Sequence, residues 1–221
     1  MPRRKIVFAN EYTYHIHNRS IAKTDIFSSL RNLKKALEIV NFYRFPQQMR
    51  LSKFNSLGAE IRTAYLESIS KTTPLVDIYA FSFMPNHYHF LIKQLTDKGI
   101  INFISNFQNS FAKVFNLKTE RTGSLFQSQF KGKRPETDEE FLHISRYIHL
   151  NHVSSCLLEF DKLKDCPWTS FGSYAQALVT PFVQTEPLIE LAGSTQAYLK
   201  FVADQADYQR SLELIKNLTI E

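Results

Sequence analysis

Residues 75–94, LVDIYAFSFMPNHYHFLIKQ, decide the fold. Two runs rich in β-branched and aromatic residues flank the turn pair Pro85-Asn86, so the stretch predicts an antiparallel hairpin. On the return strand, side chains at i and i+2 point the same way. His87 and His89 therefore share one face, and Tyr88, Phe90 and Ile92 occupy the other. Two imidazoles at neighbouring same-side positions can both reach one divalent ion, while the apolar residues behind them anchor the strand in a core. Such a pair is still a half-site, because a catalytic metal ordinarily needs a third ligand.

A second His-X-His lies upstream in YTYHIHN, residues 12–18. Alternation predicts a half-buried strand there, with Tyr12, Tyr14 and Ile16 on one face and Thr13, His15 and His17 on the other. By strand geometry alone the two pairs have equal claim to an ion. Context separates them. The downstream pair is flanked by long apolar stretches that suit a central strand, whereas Asn18 and Arg19 follow the upstream pair.

Around these strands the pattern is helical. Leu30, Leu33, Leu37 and Val40 predict a helix over 27–42, and residues 43–56 read as a proline-containing linker before a second helix over 57–70. Ile100, Ile104, Phe107, Phe111 and Val114 form one stripe of a helix over 98–117, read as core. Segment 121–136 is irregular, glycine-containing and basic. Thr137 with Glu140 is a capping box that opens a helix over 138–151. Trp168 reads as a packing anchor, and a short and a longer C-terminal helix follow, separated by a stop at Gly193. Strand, helix, hairpin, helix and later pieces predict an α+β sandwich, an antiparallel sheet with helices on one face.

The chain has 221 residues, 43% hydrophobic and 22% charged, enough for one cored unit. No run approaches the ~18 apolar residues of a membrane span, and the basic start lacks the apolar region of a secretory signal. Cys156 and Cys166 match no zinc spacing and read as buried thiols of a reducing compartment, so the expected location is the cytoplasm. Net charge is +6. Basic clusters lie at Arg3, Arg4 and Lys5 and at Lys131, Lys133 and Arg134, the second beside Phe126 and Phe130. Cations interleaved with rings suit single-stranded nucleic acid, whose phosphates need charge and whose bases need a surface. The expected DNA contacts are Arg19, Arg121, Lys131, Lys133 and Arg134.

The helix FLHISRYIHLN, residues 141–151, supplies what the histidines lack. Tyr147 and Asn151 are i and i+4 on one face. A tyrosine hydroxyl can attack phosphorus, and an amide oxygen one turn later can ligate a hard cation.

MPNHYHFLI (84–92), followed by RTGSLFQSQFKGK (121–133) and RYIHLNHV (146–153), resembles the REP-associated tyrosine transposases, single-tyrosine members of the HUH nuclease superfamily. YHIHNRS (14–20) and WTSFGSY (168–174) resemble the family too, so the likeness runs in order from about residue 3 to 175. The resemblance implies a ferredoxin-like fold over residues 1–178, with 179–221 as a helical extension. It implies Mg²⁺ or Mn²⁺ held by His87 and His89 and completed by Asn151, with Tyr147 as nucleophile. It implies transesterification on hairpin-bearing single-stranded DNA through a 5′-phosphotyrosine. It also ranks the histidine pairs: His15 and His17 become first-strand residues near DNA, outside the ligand set. One departure is His152, which stands where the family usually has proline. Two other readings remain at this point, a non-catalytic binder of DNA or RNA hairpins and a metal hydrolase that uses water. Oligomeric state is not legible.

Overall fold

A computed structural model describes residues 6–206. The basic cluster Arg3, Arg4 and Lys5 and the far part of the expected C-terminal helix lie outside the described residues. The order is β1 (Thr13–Arg19), α1 (Leu30–Tyr43), α2 (Leu51–Asn55), α3 (Ala59–Ser70), β2 (Val76–Met84), β3 (His87–Gln94), α4 (Gly99–Lys118), β4 (Lys131–Lys133), α5 (Asp138–Ser154), α6 (Phe171–Tyr174), α7 (Glu186–Ala192) and α8 (Thr195–Ala203).

The predicted hairpin forms, with Met84 opposite His87 across the Pro85-Asn86 turn. Among the described residues the strands make one antiparallel sheet in the order β2-β3-β1-β4. That is the ferredoxin-like arrangement the resemblance implied. Both histidine strands are central, which corrects the contrast drawn between their flanks.

One face of the sheet is aromatic. Tyr14, Ile16, Phe81, Phe83, Tyr88 and Phe90 pack there against Leu33, Ile39 and Val40 of α1 and Phe103, Phe107 and Phe111 of α4. The ring pairs Tyr88–Phe107 and Phe90–Phe107 meet edge to face at 5.3 and 5.8 Å, a geometry that aligns ring edges with electron-rich faces. Tyr88 is fully buried, and its hydroxyl accepts a 2.7 Å hydrogen bond from Gln108 Nε2. In α4 the stripe holds except at its end, where Phe115 is buried and Val114 exposed.

The opposite face carries a second helical layer, beyond the one-sided packing expected. A register shift between Ile78 and Ala80 puts one extra residue into β2. Such a bulge lets consecutive side chains turn the same way, and Tyr79 and Ala80 both join Leu91, Ile148, Leu150, Leu188, Tyr198 and Val202 in a second cluster. The α5 helix thereby lies across β2 and β3. Its start is capped as expected, Thr137 Oγ1 accepting from Glu140 N at 3.1 Å, while the Glu140 carboxylate accepts from Glu136 N at 2.8 Å. Residues after 178 add Phe182 to the first cluster and Leu188, Tyr198 and Val202 to the second.

The segment 168–170 covers the outer edge of β2: Phe83 N donates to Trp168 O at 2.8 Å and Ser170 N to Phe81 O at 3.0 Å. Trp168 is the anchor expected, its Nε1 donating to Phe27 O at 2.7 Å. β4 runs through the segment expected to be irregular, pairing His15 with Lys133 and His17 with Lys131. Gly132 packs closely between them: a Cβ there would stand 3.0 Å from Ile16 Cδ1 and from the Phe8 ring, so a side chain would need those neighbours to give by a few tenths of an ångström. The supposed linker 43–56 contains the short α2. Cys166 is buried as expected, but Cys156 is exposed, in a left-handed conformation just past α5.

Candidate active site

The β1–β3 register decides the site. His17 stands opposite His89 and Arg19 opposite His87, so both His-X-His pairs present their rings on one face of the sheet. The ring centroids of His15–His17, His15–His89, His17–His89 and His87–His89 are 5.4, 5.1, 5.4 and 5.1 Å apart. The upstream pair, set aside in the sequence reading, belongs to the same cluster as the downstream pair.

A cavity of about 340 Å³ opens there, lined by His17, Asn18, Arg19, His87, His89, Gln127, Lys131 and Tyr147. A larger trough of about 580 Å³ lies on the opposite layer among α1, α2 and α4, lined by Lys35, Arg50 and Lys113. It holds neither histidine nor an exposed tyrosine hydroxyl, so the smaller cavity is the chemical candidate. Tyr147 reaches it from α5 with 43% of its surface exposed, its ring centroid 5.6 Å from that of His89 and 6.0 Å from that of His15.

Among the described residues no carboxylate lines the cavity, and its charges are Arg19 and Lys131. The histidines respond accordingly. Burial, then His17 and Lys133, pushes His15 down to about 3. Burial, then Arg19, His17 and His152, pushes His87 down to about 4. His17 is lowered by burial, Lys131 and Arg19, and His89 falls well below its ordinary value through burial and the neighbouring histidines. At neutral pH these are uncharged imidazoles with lone pairs, set among fixed cations. Uncharged imidazole is the form that ligates metals, and fixed cations suit phosphate.

The fit to a divalent ion is partial. His87 Nδ1 lies 2.8 Å from Asn86 Oδ1 and His89 Nδ1 lies 2.8 Å from His15 Nε2. Each ring thus has its Nδ1 engaged by a neighbour. Asn151 is not brought to the cavity: it is buried, and its amide donates to Ile148 O within the helix at 3.4 Å. Among the described residues no group of three His, Cys, Asp or Glu side chains is arranged to hold a metal. Two imidazoles fit an ion that takes its remaining ligands from phosphate oxygens and water.

The expected DNA contacts divide. Arg19 and Lys131 line the cavity. Lys133 points from the same face of β4 but pairs with Glu140. Arg134 stacks over Tyr12, its Cζ 3.6 Å from the ring centroid. Arg121 braces its own loop, donating to Asn116 Oδ1 and Ser124 O at 3.3 and 3.2 Å. His143 pairs with Arg146 and lies against Phe201, away from the cavity. Asn18 and Gln127 were not singled out in the sequence; Asn18 Nδ2 donates to Gln127 O at 3.1 Å and ties β1 to the basic loop. His152 is buried against Ser82, Nδ1 to Oγ 3.3 Å, and burial pushes it down to about 4.

Residues 48–151 match the model of the family described as transposase IS200-like. The match includes β3, β4 and Tyr147 and leaves β1 outside. A comparison with curated proteins finds no match. Among solved structures, the chain is similar to the REP-associated tyrosine transposase bound to a REP hairpin, with TM-score 0.52 and 13% identity over 83% of this chain and 91% of that one. At that identity the likeness is one of fold. The resemblance carried by the motifs is borne out. No helix among the described residues is long and apolar enough to cross a membrane.

Proposed function

We propose, from this likeness to the IS200-like transposases, that the chain cleaves and rejoins hairpin-bearing single-stranded DNA through Tyr147. The observation that carries the reading is the approach of the exposed Tyr147 ring to the His87–His89 pair across a cavity that Arg19 and Lys131 line and that, among the described residues, no carboxylate lines. His87 and His89 would hold Mg²⁺ or Mn²⁺ through Nε2. The chemistry such an ion supplies is Lewis-acid polarisation of the scissile phosphate.

The protein's own residues do the rest. Arg19 and Lys131 hold the phosphodiester by charge. Tyr147 Oη attacks phosphorus, a P–O bond to tyrosine forms and the P–O3′ bond breaks. The phenolic proton is lost and the departing O3′ takes up a proton, leaving a 5′-phosphotyrosine and a free 3′-OH. Attack by a 3′-OH reverses the step, and the retained ester makes rejoining independent of an external energy source.

The test is incubation with hairpin-bearing single strands and Mn²⁺. A covalent protein–DNA adduct forms with the natural protein and is lost in Tyr147→Phe, which still binds the strand. An undiminished adduct in that variant contradicts the assignment. A second reading, a non-catalytic hairpin binder, is favoured by the burial of Asn151, which does not line the cavity. It predicts hairpin binding with no metal-dependent cleavage of any strand.

A further inference from the structure

The resemblance put the upstream histidines near DNA and outside the ligand set, yet His15 makes the closest polar contact that His89 has in the cluster. His15 Nε2 and His89 Nδ1 are 2.8 Å apart. The two rings are nearly parallel, 22° apart, and His89 also stacks on His17 at 19°, with His15 and His17 themselves 5.4 Å apart. His89 is 5% exposed. Its ring is therefore fixed in rotation by two neighbours, one of which also reads its proton.

His87 provides the comparison within the same strand. Its Nδ1 faces the Asn86 carbonyl oxygen, Oδ1, at 2.8 Å. An amide oxygen only accepts, so His87 carries its proton on Nδ1 and keeps the Nε2 lone pair. For His89 the partner is an imidazole nitrogen, which can accept or donate, and the contact alone allows two proton placements. Only one of them makes His89 equivalent to His87: His89 Nδ1–H donates to His15 Nε2, and His15 carries its own proton on Nδ1. In the other placement His89 presents Nε2–H outward, which cannot ligate a cation.

We propose that His15 is a positioning residue, whose Nε2 accepts from His89 Nδ1–H and so holds His89 in the tautomer that offers Nε2 to the ion. The proposal rests on the reading above that His87 and His89 hold a divalent cation. It assigns the upstream pair a supporting part: His15 sets the proton and His17 buttresses the ring. Orientation of a ligating histidine through its second nitrogen alters metal affinity by roughly 10–100-fold in known sites.

Two measurements on the full chain test it. In metal-free protein, long-range proton–nitrogen spectra with labelled histidine report the tautomer of His89 directly. Nδ1–H is expected; Nε2–H overturns the proposal whatever the metal does. In the second, Mn²⁺ binding is titrated by the resonance signal of the unbound ion. His15→Phe, which keeps a ring and removes the acceptor, is expected to weaken binding by about tenfold or more. His15→Gln, which returns an acceptor near the position of Nε2, is expected to restore it to within about threefold, a recovery that mere packing damage would not show. Natural affinity in His15→Phe, or equal weakness in both variants with the fold retained by circular dichroism, overturns the proposal. Nδ1–H at His89 in a natural protein that binds no Mn²⁺ overturns the metal reading instead and supports the His15–His89 pairing.

Discussion

The buried His149 and the four histidines of the sheet are accommodated in opposite ways. His149, on the buried side of α5, sits in a closed chain of hydrogen bonds. Its Nε2 meets Ser170 Oγ at 2.9 Å, its Nδ1 meets Tyr198 Oη at 3.1 Å, and Tyr198 Oη meets Ser145 Oγ at 2.8 Å. Ser145 Oγ then donates to Leu142 O at 2.8 Å, and Ser170 Oγ accepts from Phe81 N at 2.8 Å. Every polar atom on that path ends on the backbone, as buried polar groups must. The cluster of His15, His17, His87 and His89 ends instead on a cavity. Its neighbours are Arg19, Lys131 and Lys133; Glu140 pairs with Lys133, and among the described residues no carboxylate lines the cavity beside Arg19 and Lys131. The first arrangement is closed within the fold, and the second borders a cavity.

The largest effect should come from breaking the closed chain. His149→Phe leaves the hydroxyls of Ser170 and Tyr198 short of a partner and is expected to cost about 2–4 kcal/mol in denaturant unfolding. A loss below about 0.5 kcal/mol would mean that the chain is not a structural unit. The open cluster should behave differently. Mn²⁺ at 100 times its dissociation constant is expected to stabilise the natural protein by about 2.7 kcal/mol, reversibly with chelator. His87→Ala should remove that gain while changing metal-free stability by less than about 1 kcal/mol; an equal gain in the variant would break the contrast.

Acid should reach both groups. His15 and His149 are pushed down to about 3, and His87 and His152 to about 4, each chiefly by burial. Below the ordinary value of about 6.5 the unfolded chain takes up protons that the folded chain refuses. Stability is therefore full above about pH 6.5 and falls as pH drops towards 4 and 3. Denaturant midpoints at pH 7 and pH 4.5 check this, and His149→Gln should lower proton uptake on unfolding by up to about one. Midpoints that do not move would deny that these rings are buried uncharged.

The smallest effect concerns the basic rim. Lys131→Ala should weaken hairpin binding evenly across sequences and reduce the salt slope by about one. Lys133→Ala should do less, because Lys133 already pairs with Glu140. Equal slopes for the natural protein and Lys131→Ala would remove the phosphate contact.

These contrasts were only partly legible in the sequence. The hairpin and the inward Tyr88 were, because a period of two around a Pro-Asn turn is a local signal. The stripe on α4 was legible for the same reason at a period of 3.6. β4 was not: Lys-Gly-Lys has no apolar alternation and is a strand only because β1 lies beside it. The four-histidine cluster was not, since it depends on pairing residues 74 positions apart, His15 with His89. Asn151 shows the limit of helical spacing. Positions i and i+4 differ by about 40° around the axis, and the packing of Ile148, Leu150 and Val153 rolls α5 so that Tyr147 meets the cavity while Asn151 is buried.

The central claim is that the open cluster serves one nucleophile on the neighbouring helix. Its most direct test is to react the natural protein with a hairpin-bearing single strand and Mn²⁺, digest protein and DNA, and identify by tandem mass spectrometry the residue that keeps a nucleotide. The account predicts a 5′-linked nucleotide on Tyr147. A nucleotide on any other side chain, or none in protein that binds the strand and Mn²⁺, would contradict it.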